Sequence, residues 1–177
     1  EGFGINGGSV IRRNVIDSNF GYGLTCNIES DVLNNTIANN GLFGISGGKI
    51  IIGNIIENNN GFAITCHSHA NIESNQILNN QGFAVNGGEI INNNTVSLNE
   101  SDSLNFIEAP FLIEFQNNSF NENIVHSGMF LNSSNRVHFS NNSFDANQVL
   151  SGDMINTMTE YVISDANLDE INYPLII

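Results

Sequence analysis

Carboxylates are the first side chains in this sequence that could do chemistry. Asp17 and Glu57 stand at the same place in two similar stretches, "NVIDSN" and "NIIENN". In a chain of stacked turns they would lie two turns apart, at about 9 to 10 Å, the wide end of the spacing used by inverting glycosidases. Asp31 and Glu73 are further candidates. Acidic residues at solvated turns also keep a strand-rich protein soluble, so the sequence predicts no catalytic site.

A thiol and two imidazoles stand close together in "TCHSH", positions 65 to 69, as Cys66, His67 and His69. These side chains are metal-ligand types, and alternation along a strand would put both histidines on one face. No third or fourth ligand is near them in the sequence, which therefore predicts neither a metal site nor a cofactor. Cys26 is expected two turns from Cys66, beyond the roughly 7 Å reach of a disulfide, so both should be free thiols.

Glycosylation is the third chemistry that the sequence allows. Six N-x-S/T sequons mark candidate asparagines: Asn34, Asn93, Asn99, Asn117, Asn132 and Asn141. Four of them share one position of the repeat described next, a position expected to face solvent: Asn34, Asn93, Asn117 and Asn141. Glycans on consecutive turns would crowd at a spacing of about 4.8 Å, and an asparagine-rich repeat ending in Ser or Thr also produces sequons by composition alone.

A repeat of about 20 residues must position all of these groups. Its pattern reads "GFGINGGSVIRRNVI" (2–16), "GISGGKIIIGNII" (44–56) and "FAVNGGEIINNNTV" (83–96). A first asparagine column comprises Asn14, Asn35, Asn54, Asn75, Asn94, Asn118 and Asn142. A second comprises Asn19, Asn40, Asn59, Asn80, Asn99, Asn123 and Asn147. Asparagine tolerates left-handed φ at a bend, and its amide can donate to and accept from its copy one turn away, which predicts hydrogen-bonded ladders.

Large apolar residues keep register with the first asparagine column. They stand three positions before it, from Ile11 to Phe139, and two positions after it, from Ile16 to Phe144. A spacing of two with β-branched residues is typical of strands, and a unit of 20 residues is too short for two packed helices. The sequence therefore predicts stacked coils of short parallel strands. An aromatic column is expected to fill another wall of the core: Phe3, Tyr22, Phe43, Phe62 and Phe83.

An exposed aliphatic stripe is predicted along one face of this stack. The position before the Ile11 column should point outward, and it alternates between apolar and polar residues over the first five turns. With two aliphatic neighbours it forms a candidate contact surface: Val10, Ile50, Ile52, Ile55 and Ile90. The alternative interpretation is a β-face that tolerates scattered aliphatic side chains.

The repeat resembles the right-handed parallel β-helix of the pectate-lyase-like superfamily, in "NVIDSNFGYGL", "NTIANNGLFGI", "NIIENNNGFAI" and "NQILNNQGFAV". The later "FQNNSFNEN" and "FSNNSFDAN" also look like repeats of outer-membrane adhesins and autotransporter passengers. The resemblance implies an all-β, right-handed parallel β-helix of about seven to eight coils. It also implies a range of functions, from polysaccharide lyases to non-catalytic scaffolds. Lyases of this type use acidic calcium ligands beside a basic proton acceptor, and no such cluster is visible here.

The excess of acidic residues limits the kinds of partner that the protein could bind. With 4 basic and 18 acidic residues among 177, the net charge of −14 argues against nucleic acid and anionic membranes, and no apolar run could span a bilayer. We expect one domain over 1–177, with coils of 19–21 residues to position 100 and of about 24 thereafter, as a segment of a longer protein. The expected function is a structural or adhesive module of a secreted or cell-surface protein that binds glycan or protein, or assembles with itself. The alternative is a fragment of a polysaccharide lyase, hydrolase or epimerase.

Overall fold

The chain forms a parallel β-solenoid of about seven turns in a computed structural model, which describes residues 2–102, 105–157 and 162–164. Each turn contributes one short strand to each of three parallel sheets, A, B and C, and the described part is all-β. The end of the predicted domain, from 165 to 177, lies outside the described residues. In the part that is described, no helix is long and apolar enough to cross a membrane.

The strands are short, and their bounds repeat from turn to turn. Sheet A contains Ile5–Asn6, Leu24–Thr25, Ile45–Ser46, Ile64–Thr65, Val85–Asn86, Asn105–Glu108, Gly128–Ser133 and Gly152–Thr157. Sheet B contains Val10–Arg12, Asp31–Leu33, Ile50–Ile52, Asn71–Glu73, Ile90–Asn92, Glu114–Gln116, His138–Ser140 and Val162–Ser164. Sheet C contains Val15–Asp17, Thr36–Ala38, Ile55–Glu57, Gln76–Leu78, Thr95–Ser97, Ser119–Asn121 and Ser143–Asp145.

The predicted apolar columns are the core. In sheet B, Ile51 pairs with Val32 of the preceding turn, which we call the turn below, and with Ile72 of the following turn, the turn above. All three side chains are fully buried. In sheet C, Ile56 is stacked in the same way between its own neighbours. In Ile50–Ile52 and Ile55–Glu57 the middle residue is buried while its two neighbours are not, as the period of two requires.

Both asparagine columns form the predicted ladders, but the left-handed residue at each bend is a different one. Ladder asparagines are buried from the second turn to the last described one. The residue just before the first ladder takes positive φ, between 53° and 69° at Arg13, Asn34, Gly53, Ser74, Asn93, Asn117 and Asn141. Two consecutive residues therefore form each bend. The first adopts the left-handed conformation that turns the backbone, and the second points its amide inward, where it bonds backbone N–H and C=O groups that the sheets leave unpaired.

The longer C-terminal turns contain a fourth sheet. Sheet D consists of Glu100–Ser101, Ile124–Val125 and Gln148–Val149, inserted after the second ladder. The extra strand widens the turn, and phenylalanines fill the larger interior: Phe106, Phe115, Phe120 and Phe130 are fully buried. Their rings contact one another, with Phe106 and Phe130 centroids 4.8 Å apart. The change from 20 to 24 residues is thus a change of cross-section.

Candidate binding groove

The corner between sheets C and A carries a recess that crosses several turns. In the first turns, four residues lead from each second-ladder asparagine across this corner to the next sheet A strand, such as Asn60, Gly61, Phe62 and Ala63. The backbone N–H of Asn60 donates to Asn40 O at 2.9 Å, and that of Gln81 donates to Asn59 O at 3.0 Å. These bonds fix the start of each crossing to the turn below, so corner residues stack as regularly as strand residues do.

The aromatic column runs along the outside of this corner, which corrects the expectation that it fills the core. Ring centroids are 5.4 Å apart for Phe3 and Tyr22, 5.1 Å for Tyr22 and Phe43, and 4.5 Å for each of the next two pairs up to Phe83. None of these side chains is fully buried, and Phe3 is 46% exposed.

The rings point outward because the interior of the corner has no room for them. The residue after each ring is Gly4, Gly23, Gly44, Ala63 or Ala84, and it occupies the interior position. A Cβ on Gly23 would stand 2.6 Å from Ile37 Cγ2 and 2.7 Å from Asn40 Nδ2. The rings also precede the sheet A strands, so the strand period of two does not govern where they point.

Glycines form the floor beneath the rings. A Cβ on Gly61 would lie 2.7 Å from Phe43 Cδ1, and one on Gly82 would lie 2.6 Å from Phe62 Cδ1. Each of these two rings therefore lies over the glycine of the next turn. Gly82 also has a φ of +105°, which other residues rarely adopt.

Two cavities that meet at Leu42 make up what we call the corner groove. The larger, of about 440 Å³, is lined by Leu42, Phe43, Asn60, Gly61, Phe62, Gln81, Gly82, Glu100 and Asp102. The smaller, of about 280 Å³, is lined by Gly2, Phe3, Phe20, Gly21, Tyr22 and Leu42. Phe20 is 94% exposed and Leu42 is 43% exposed. The smaller cavity is thus lined by aromatic and aliphatic side chains and glycines, whereas the larger one adds the polar side chains of Asn60, Gln81, Glu100 and Asp102.

Sheet D contributes to this polar lining. Glu100 bridges to Gln81, and its backbone N–H donates to Asn80 O at 3.0 Å. His126 Nε2 lies 2.6 Å from Glu100 Oε1 and 3.6 Å from Asp102 Oδ1. Of the residues that line the two cavities, none is lysine or arginine. The groove therefore combines aromatic rings with negative charge.

The predicted catalytic carboxylates lie outside the groove. Asp17 and Glu57 do share a column, with Ala38 between them. Asp17 accepts a hydrogen bond from Asn39 Nδ2 at 2.7 Å, and Glu73 accepts one from Asn93 Nδ2 at 3.3 Å. Asp17 lines a separate cavity of about 240 Å³, whose lining includes none of the other three candidates.

The thiol and imidazoles of "TCHSH" are at a different corner, between sheets A and B. Both cysteines are free. Burial raises the pKa of Cys66 to about 12, and burial also raises the pKa of Cys26, partly offset by a hydrogen bond with Ser30. His69 Nδ1 lies 3.0 Å from Glu89, whereas His67 Nδ1 accepts the His69 backbone N–H at 3.1 Å.

The two histidines of this corner bond to nearby protein groups, and they do not form a metal site with Cys66. Among the described residues, no cluster of three or more His, Cys, Asp or Glu side chains could hold a metal ion. At the same corner, the Lys49 ammonium lies 2.7 Å from Glu29 and its hydrogen bond lowers the pKa of that carboxyl.

The six sequon asparagines fall into three environments. The column of Asn34, Asn93, Asn117 and Asn141 is exposed, as expected, at the left-handed bend position. Asn132 is partly buried, and its Nδ2 donates to Glu108. Asn99 is a buried ladder residue whose Nδ2 donates to Ile77 O at 2.9 Å, which leaves the folded chain no accessible amide there.

Four members of the predicted aliphatic stripe lie on the outer face of sheet B, whereas Ile55 begins a strand of sheet C. Val10, Asp31, Ile50, Asn71 and Ile90 are successive partners in register. Val10 is 53% exposed, and Ile90 is partly buried. The two remaining members, Ile52 and Ile55, are also partly buried on either side of the first-ladder bend. None of these five aliphatic residues lines either cavity of the corner groove.

Sequence reasoning missed the groove. The aromatic column was visible in the spacing, but its outward position was signalled only by the small residue that follows each ring. No protein-family model, curated protein or solved structure matches the chain. The likeness to the pectate-lyase-like superfamily and to adhesin repeats therefore stays a prediction from the repeat pattern, as does the right-handed sense of the coil.

Proposed function

We propose that the chain is a non-catalytic binding module of a secreted or cell-surface protein, and that its corner groove holds an extended glycan. The observation that carries the proposal is a column of five partly exposed rings, four of which line a groove that crosses several turns. A linear site that repeats with each turn suits a linear ligand that repeats with each sugar.

The chemistry of the lining supports a sugar over an apolar peptide. Phe43 and Phe62 offer apolar ring surface for the C–H face of a sugar, while Asn60 and Gln81 offer amide donors and acceptors for its hydroxyl groups. Binding sites for small ligands commonly combine a mainly apolar lining with a few polar groups that fix orientation. The corner groove has this composition.

A second candidate function is the polysaccharide-processing enzyme. Two carboxylates, Glu100 and Asp102, converge on His126 at the end of the groove. Paired carboxylates are the usual equipment of glycoside hydrolysis. An enzyme would release shorter products from oligosaccharides and would stop doing so in Glu100→Gln, whereas a binding module returns its ligand intact.

The test is binding to an array of neutral, acetylated, amine-bearing and acidic oligosaccharides. We expect Phe62→Ala to weaken binding to the preferred glycan by at least about tenfold, because it removes one of the two rings that line the larger cavity. Phe111→Ala is the matched control, since Phe111 is an exposed ring at the corner between sheets A and B, with its centroid 5.0 Å from that of the His69 ring. Equal losses in both variants, or no glycan bound at all, would refute the proposed site.

A further inference from the structure

The corner groove becomes more polar in one direction. The first position of the crossing is occupied successively by Phe20, Gly41, Asn60, Gln81 and Glu100. It begins with an almost fully exposed ring and ends with a carboxylate, and Asp102 beyond it is 91% exposed. The large cavity thus has aromatic rings on one side and two acidic groups at its end.

Aromatic faces and carboxylates have one ligand preference in common. The negative face of a phenylalanine ring attracts an ammonium group, and a carboxylate binds it by a charge-assisted hydrogen bond. Here Phe43, Phe62, Glu100 and Asp102 line a single cavity. The His126 imidazole already contacts both acids, with Nε2 2.6 Å from Glu100 Oε1 and 3.6 Å from Asp102 Oδ1.

The net charge of the whole chain also favours a positively charged ligand. A net charge of −14 repels polyanions and attracts polycations at distances near the Debye length, about 8 Å at physiological salt. Uronate polymers would meet this field and then the two carboxylates at the end of the groove. A glycan with positive groups would be favoured by both.

We infer that the corner groove selects glycans that carry protonated amino groups, such as chains of β-linked glucosamine. This inference rests on the proposed function and specifies its ligand. The sugar rings would lie along the aromatic column, and an amino group would lie at Glu100 and Asp102.

The experiment compares four hexasaccharides by isothermal titration calorimetry at about pH 6: β-1,4-linked glucosamine, its N-acetylated form, the matching glucose oligomer and a galacturonate oligomer. We expect the glucosamine chain to bind about tenfold more tightly than the N-acetylated chain, and the galacturonate chain not to bind. Its advantage should shrink as salt rises, because the acidic end is exposed.

Two variants separate the acidic end from general charge. Glu100→Gln with Asp102→Asn should remove the roughly tenfold advantage of the glucosamine chain over its N-acetylated form. Glu29→Gln with Glu89→Gln changes the net charge equally at the other corner and should have little effect. His126→Ala should strengthen glucosamine binding by about twofold, because it removes the side chain that already holds the Glu100 carboxylate.

The outcomes distinguish the two proposals. Equal binding of amine-bearing and N-acetylated chains would overturn the inference and leave glycan binding intact. Binding of an oligolysine as tightly as the glucosamine chain would also overturn it, since the site would then select any polycation. Binding of none of the hexasaccharides would overturn the proposed function itself. An advantage lost only in the Glu100 and Asp102 variant supports the inference.

Discussion

Each ladder asparagine bonds groups on three turns at once. Asn54 Oδ1 accepts from the backbone N–H and Nδ2 of Asn35, at 2.9 Å and 3.0 Å. Its own Nδ2 donates to Val32 O at 2.9 Å and to Asn75 Oδ1 at 3.0 Å. All of these atoms are buried, so no water can replace the amide.

Replacing one such amide tests this account. Asn54→Ala should lower the free energy of unfolding by about 2 to 4 kcal/mol, because buried donors and acceptors above and below lose their partner. Asn60→Ala, at an exposed corner position one turn segment later, should change it by less than about 0.5 kcal/mol. Urea unfolding of both variants makes the comparison, and similar losses would contradict a special role for the ladder.

The buried thiol of Cys66 predicts a loss of stability in alkali. Its pKa is about 12 in the folded chain against 9.0 for a free thiol, so above pH 9 the unfolded state binds fewer protons than the folded state. The free energy of unfolding should therefore fall with rising pH between 9 and 12, by about 1.4 kcal/mol per pH unit from this group. Below pH 9 the contribution is fully present.

Urea unfolding between about pH 8 and about pH 11 measures this slope. Cys66→Ala should give a flatter curve than the parent chain, and Cys26→Ala should flatten it less. Parallel curves for the parent and Cys66→Ala would show that this thiol ionises alike in both states.

At the scale of elements, the sequence predicted strands well and corners poorly. Strand positions such as Ile51 and Ile56 could be predicted because alternation and turn-to-turn identity both place them inside. The rings of Phe43 and Phe62 could not, because alternation holds only within a strand and these rings precede one. What decides their position is the volume left by Asn59 and its neighbours inside the corner, which only the assembled turns reveal.

The glycine floor of the groove can be tested against backbone strain. Gly82→Ala should destabilise the chain by about 2 kcal/mol and weaken ligand binding, because the new Cβ meets Phe62 at a positive φ. Gly7→Ala is the matched control: its φ is also +105°, but nothing lies within 4 Å of the added Cβ. We expect it to cost about 1 kcal/mol and leave binding unchanged. Unfolding and calorimetric titration give both quantities, and equal effects would place the cost in the backbone alone.

At the scale of the molecule, charge opposes compactness. Four basic residues face 18 acidic ones, and the described ion pair of lysine with a carboxylate, Lys49 with Glu29, is exposed. Stability therefore has to come from the continuous core and the ladders, whose contacts are with neighbouring turns. The composition predicted this imbalance directly, whereas the wider turns with sheet D could be anticipated only as a longer repeat.

Salt should therefore stabilise the protein. Raising sodium chloride from about 20 mM to about 300 mM should raise the unfolding midpoint by about 2 to 5 °C, because screening weakens repulsion among the carboxylates. Asp31→Asn with Asp145→Asn should reduce this increase. A midpoint that falls with salt would mean that attractive pairs outweigh repulsion.

The amides of both ladders all face the same way. In every bond between two ladder amides, the Nδ2 of one turn donates to the Oδ1 of the higher-numbered turn, as from Asn35 to Asn54 and from Asn54 to Asn75. A second Nδ2 bond goes to a backbone carbonyl of the lower-numbered turn, as from Asn54 to Val32 O. The strands run across the axis of the solenoid, whereas the ladder amides are aligned head to tail along it, and dipoles aligned in this way add. The two ends of the rod are thus electrically unlike, so under the proposed function a glycan with unlike ends would have one preferred heading in the groove.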